Sequence, residues 1–83
     1  MTFKLHPHAK ARIIERGATE EEVVATVEYG ERFAVKFGRS GFRRNFPYNG
    51  LWRGIHYANK QIEAIAVRDR DDLLVITVIV RFY

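Results

Sequence analysis

The spacing of apolar residues changes at Gly30, and that change constrains the fold more than any other feature of the sequence. Before Gly30 the apolar side chains recur every three to four positions; after it they recur every second position, between glycine-marked turns. A chain built this way puts helices first and strands second, so it packs as an α+β layer fold. Its 83 residues make one domain over 1–83, and the 47% apolar content is enough for a globular core.

Local signals set the helices. Pro7 suits a first helical turn, where its missing N–H costs nothing. Helix 1 is expected over His8 to Arg16, with Ala9, Ile13 and Ile14 as its apolar stripe and Gly17 as its stop. Thr19 and Glu22 form a capping box, and Glu20 and Glu21 complement the positive end of a second helix. That helix is expected from Glu20 to Tyr29, burying Val23, Val24 and Val27. A short extended piece is expected at Phe3 to Leu5.

The strands are expected at Arg32 to Phe37, Phe42 to Phe46, Leu51 to Tyr57, Ile62 to Arg68 and Leu73 to Phe82. Asn49-Gly50 is the strongest hairpin signal, and a further turn is expected at Asn59-Lys60. The result is a curved antiparallel sheet of four or five strands with both helices on one face. In the last strand, Leu74, Ile76, Val78, Val80 and Phe82 share the side expected under the helices. Leu73, Val75, Thr77, Ile79, Arg81 and Tyr83 share the other, which is expected to stay open for a ligand.

Cysteine is absent, which removes disulfides and thiolate metal sites. His6, His8 and His56 do not follow a metal-ligand spacing, so no metal is expected. Ser40 lacks a nucleophile-elbow context and no phosphate-loop glycine pattern occurs, so no cofactor is expected either. Leu73 to Val80 is too short to cross a bilayer and Met1 to Arg16 is mixed and basic, so a cytoplasmic protein with no membrane partner is expected.

Charge is more informative. Seven cations and no acid lie between Arg32 and Lys60, and arginine outnumbers lysine ten to four. Arginine interleaved with aromatics suits phosphate and nucleic-acid contact, although a merely solvated basic surface has the same composition. Lys36, Arg39, Arg43, Arg44 and Arg53 are therefore candidate RNA-binding residues, with Arg12 on helix 1. Arg43 and Arg44 are adjacent in a strand, so only one of them can serve any given face.

Cleaving RNA without metal requires a base for the 2′-hydroxyl, cations for the phosphorane and an acid for the leaving oxygen. His8, Arg12 and Arg16 share one side of helix 1 at i, i+4 and i+8, while Arg53, His56, Arg81 and Tyr83 lie on strands. Each has a structural alternative. His8 also fits a helix-start role, Arg12 and Arg16 fit solvation or pairing with Glu15 and Glu20, His56 fits a sheet histidine, and Tyr83 fits a frayed end.

The run His8-Ala9-Lys10-Ala11-Arg12-Ile13-Ile14-Glu15-Arg16-Gly17, with Thr19 to Val23 and Leu74 to Val78, resembles the DUF4258 family. The resemblance implies kinship with small RelE-, ParE- and barnase-type proteins: N-terminal helices on a curved sheet, RNA on the open face and often an antitoxin protein as partner. It implies a metal-independent endoribonuclease toxin, with His8, Arg16 and Thr77 as matched functional positions. Arg81 and Tyr83 join the catalytic set by analogy with basic and tyrosine residues near RelE-like C-termini. The alternative is a non-catalytic RNA-binding or ParE-like inhibitory module. For a catalytic site, the His8 end of helix 1 must face the sheet near Thr77 and Arg81.

Overall fold

The computed structural model describes residues 3–83. Its order is β1 (Phe3–Leu5), α1 (Pro7–Glu15), α2 (Glu20–Tyr29), β2 (Glu31–Val35), β3 (Arg39–Trp52), β4 (Ile55–Asp69) and β5 (Asp72–Phe82). The five strands form one sheet in the order β1-β5-β4-β3-β2.

Both helices begin on side-chain caps. His6 Nδ1 accepts from the His8 N–H at 3.0 Å with Pro7 behind it, so α1 starts at Pro7, one residue before the expected start. The Thr19–Glu22 capping box is present in both directions. Gly17, at φ 79°, ends α1, and the Trp52 ring lies where a side chain at position 17 would sit.

Ala9 and Ile13 of α1 and Val23 of α2 share a buried cluster with Phe42, Ile62, Ala64, Ala66, Leu73, Val75 and Val78. Ile14, expected in this stripe, is 80% exposed, because the helix turns it about 100° from Ile13. Thr26 is buried instead of Val24, its hydroxyl donating to the Glu22 carbonyl at 2.8 Å.

The sheet departs from the expected plan in three ways. First, it is mixed: β1 runs parallel to β5, with Phe3 beside Leu73 and Leu5 beside Val75, whereas the other neighbours are antiparallel. The chain between them runs through both helices and β2 to β4, far longer than the dozen or so residues a parallel pairing requires.

Second, the long hairpin turns at Arg53-Gly54 (φ 51° and 82°), not at Asn49-Gly50. Asn49, at φ 47°, serves a β-bulge, where Tyr48 and Asn49 oppose the single residue Ala58. The expected strand Leu51 to Tyr57 is thus split between β3 and β4, and Asn59-Lys60 lies within β4 rather than in a turn. The observed register sets Phe42 opposite Ala64 and Arg44 opposite Ile62. Burial of that row outweighs the local turn preference of Asn-Gly.

Third, the ladder shifts between β4 and β5, where Ile65 faces Thr77 but Ala66 faces Val75. Ile76 is the extra residue, so Leu73 and Val75 join Val78 beneath the helices and Leu74 leaves that face. The expected grouping of Leu74 with Val78, and of Leu73 and Val75 with the open side, is thereby corrected.

Lys60 links these layers. It is 5% exposed, its Nζ lies 2.7 Å from Glu22 Oε1 and donates to the Gly17 carbonyl at 3.0 Å, and the Tyr48 ring is 5.2 Å away. Lys60→Ala would leave the capping carboxylate and the α1 terminus without their cation. A stability loss of about 3 kcal/mol is expected in urea unfolding, as for removal of one partner from a buried pair.

Candidate nucleic-acid interface

Antiparallel partners share a face, so the register alone sorts the strand residues. The helix side carries Phe42, Arg44, Ile62, Ala64, Val78 and Val80. The opposite side carries Glu31, Phe33, Arg39, Arg43, Asn45, Gln61, Glu63, Thr77, Arg81 and Tyr83.

On that opposite side the polar groups form a connected row. Arg81 Nη1 donates to Glu63 Oε1 at 2.7 Å and to Gln61 Oε1 at 3.5 Å. Gln61 Nε2 donates to Asn45 Oδ1 at 3.1 Å, and the Tyr83 hydroxyl donates to the same oxygen at 3.0 Å. Tyr83 does not fray, because its backbone exchanges both hydrogen bonds with Asn59. Arg43 stands on the other side of Glu63, at a long 4.0 Å, with its guanidinium 4.5 Å from the Phe33 ring centroid. The Phe33 ring lies across Gly41, where an added Cβ would come within 2.4 Å of it.

Two arginines thus share the Glu63 carboxylate, and Glu31 stands opposite Arg43 on the same face. Arg43 is weakly engaged: its Nε is the one buried side-chain nitrogen or oxygen among the described residues without a hydrogen-bond partner. Such a row can hold a phosphate on its guanidinium groups and hydrogen-bond a base or ribose through the amides and the phenol.

The sequence candidates divide between the faces. Arg81 and Tyr83 come together with Arg43, and Thr77 shares their face opposite Ile65. His8 is exposed at the start of α1 on the helix side. Arg12 pairs with Glu15, and Arg16 Nη1 donates to the Val78 carbonyl at 2.6 Å, which ties α1 to β5. The sheet therefore separates His8 from Thr77 and Arg81, contrary to the expectation that they face one another. Arg44 lies between the Tyr29 and Phe46 rings on the helix side, reaching the Ala25 carbonyl at 3.4 Å. Lys36 and Arg39 flank the β2–β3 turn, and Arg53 sits at the β3–β4 tip over Trp52.

Glu63, Gln61 and Asn45 escaped the sequence reading. Glu63 lies just beyond the acid-free stretch, which ends at Lys60. The signal was present in the alternation Gln61-Ile62-Glu63-Ala64, polar residues on one face and apolar on the other. Among the described residues no three His, Cys, Asp or Glu gather to hold a metal ion, and no helix is long and apolar enough to cross a membrane. No protein-family model, curated protein or solved structure matches the chain.

The Glu63 side chain is only 12% exposed and is the carboxylate partner of both arginines, so its charge contributes to folding. Glu63→Gln is expected to cost about 1–3 kcal/mol, measured by thermal or urea unfolding.

Proposed function

We propose that this protein binds RNA through the sheet face that the helices leave open. The observation that carries this reading is the pair Arg43 and Arg81 on either side of Glu63, continuous with Gln61, Asn45 and Tyr83. The guanidinium groups engage phosphate, and the amides and the phenol contact ribose or base. The acid-free cationic stretch and the resemblance to DUF4258 and RelE-type proteins support it. In that kinship the helices lie behind a curved sheet and an antitoxin protein is a partner, and the protein works in the cytoplasm.

A second reading is favoured by Glu63 itself. A carboxylate between two arginines suits metal-independent endoribonuclease chemistry. Glu63 takes the 2′-hydroxyl proton, the oxygen attacks phosphorus, and Arg43 and Arg81 stabilise the phosphorane. The 5′-oxygen leaves with a proton from Tyr83 or water, giving a 2′,3′-cyclic phosphate and a 5′-hydroxyl end. His8 takes no part in this scheme, since it lies behind the sheet.

Binding to a labelled single-stranded RNA across a salt series tests the first reading. Arg43→Ala and Arg81→Ala are each expected to weaken binding and to reduce the salt slope by about 1. Glu63→Gln is expected to tighten it by removing a negative charge. Retention of full affinity and slope by both arginine variants would sink the proposal. For cleavage, RNA is incubated with protein and EDTA: Glu63→Gln should lose the cyclic-phosphate product and His8→Ala should keep it.

A further inference from the structure

Phe37 occupies a position for which neither conformation nor packing accounts. It sits with Gly38 at the centre of the β2–β3 turn, both at positive φ (64° and 70°), and the Arg39 N–H closes the turn on the Lys36 carbonyl at 3.5 Å. Positive φ at both central positions matches a type I′ turn, which favours asparagine, aspartate or glycine at the first position. A phenylalanine there is strained by its Cβ. Its ring is 89% exposed, so burial does not offset the strain, and the contact nearest to compensation is the Arg39 guanidinium 6.0 Å from the ring centroid.

The surroundings indicate what the ring would meet. Lys36 and Arg39 flank it, and Val35, Arg39, Phe33 and Arg43 follow on the open face, with Glu31 opposite Arg43. The path therefore reads Phe37, Arg39, Phe33, Arg43, Arg81, Tyr83, with aromatic groups among cations along one side of the sheet. From Arg39 to Arg43 is about 13 Å at roughly 3.3 Å per residue. Sequence-tolerant binding of single strands uses this combination of cations tracking the backbone and rings on which bases stack. A paired base offers no free face to such a ring except at a duplex end.

We infer that Phe37 is a base-stacking platform at one end of the RNA path and that it selects single-stranded over duplex RNA. The inference rests on the open-face reading above and adds a ligand class and a residue to it. The charge around the ring favours a polyanion over an apolar partner, and local strain retained on an unburied side chain fits a role in binding.

The test uses the full chain with a short single-stranded RNA carrying 2-aminopurine, and with a duplex of the same sequence. Phe37→Asn places a turn-favouring residue at the site, so its melting temperature should equal or exceed that of the wild type. Single-strand affinity should fall about tenfold, within the range for loss of one stacked base, with the salt slope unchanged. The quenching of 2-aminopurine should disappear, while Phe37→Trp keeps both affinity and quenching. Duplex affinity should be weaker in the wild type and unaltered by Phe37→Asn. Equal single-strand affinity in Phe37→Asn and wild type, with losses confined to the Arg43 and Arg81 variants, would overturn the stacking role and leave the open-face reading intact. Failure of the wild type to bind either RNA would overturn both.

Discussion

The buried ammonium of Lys60 is the interaction on which the rest of the arrangement depends. From the middle of β4 it reaches Glu22, which caps α2, and the Gly17 carbonyl, which ends α1. One cation therefore sets the start of the second helix and the stop of the first against the same strand. A buried charge is tolerated only when its donors are satisfied, and here a carboxylate and a carbonyl take it up beside an aromatic ring. Arg16 on the Val78 carbonyl and Arg44 on the Ala25 carbonyl extend the same logic toward β5 and β3. Cations on this side hold the helices to the sheet.

Because those cations are committed on the helix side, the other face differs in character. Strand alternation sends Arg43 and Arg81 away from the helices, while Arg44 and Lys60 point toward them. Glu63 is the acid that joins the outer pair, and Glu31 stands opposite Arg43 on the same face. The chain's arginine excess is thus two populations with separate tasks. Composition counts them together; the register of β3, β4 and β5 separates them.

Two bulges control that register. At Ile76 one inserted residue lets Leu73 and Val75 fill the core beside Ala9 and Ile13, while Thr77, Arg81 and Tyr83 stay outside. At Asn49 another extra residue continues the long hairpin to Arg53-Gly54. Pro47 is accommodated nearby because β2 pairs with β3 only as far as Arg43, so a missing N–H there deprives no neighbouring strand.

How much of this is legible in the sequence follows from the range of each interaction. The sequence by itself determined both helices, the capping box, the stop at Gly17 and the change to strands at Gly30, since these rest on contacts within about four residues. It also determined that Arg43 and Arg44 oppose one another. It did not determine where the long hairpin turns, because Asn49-Gly50 and Arg53-Gly54 both tolerate positive φ and only burial of Phe42, Ile62 and Ala64 chooses between them. Nor did it determine that β1 lies parallel to β5, that Ile76 shifts the faces, or that His8 and Arg81 are separated by the sheet. The row from Arg43 through Glu63 to Tyr83 joins residues 20 positions apart on successive strands, and only their hydrogen-bonded register could bring it together.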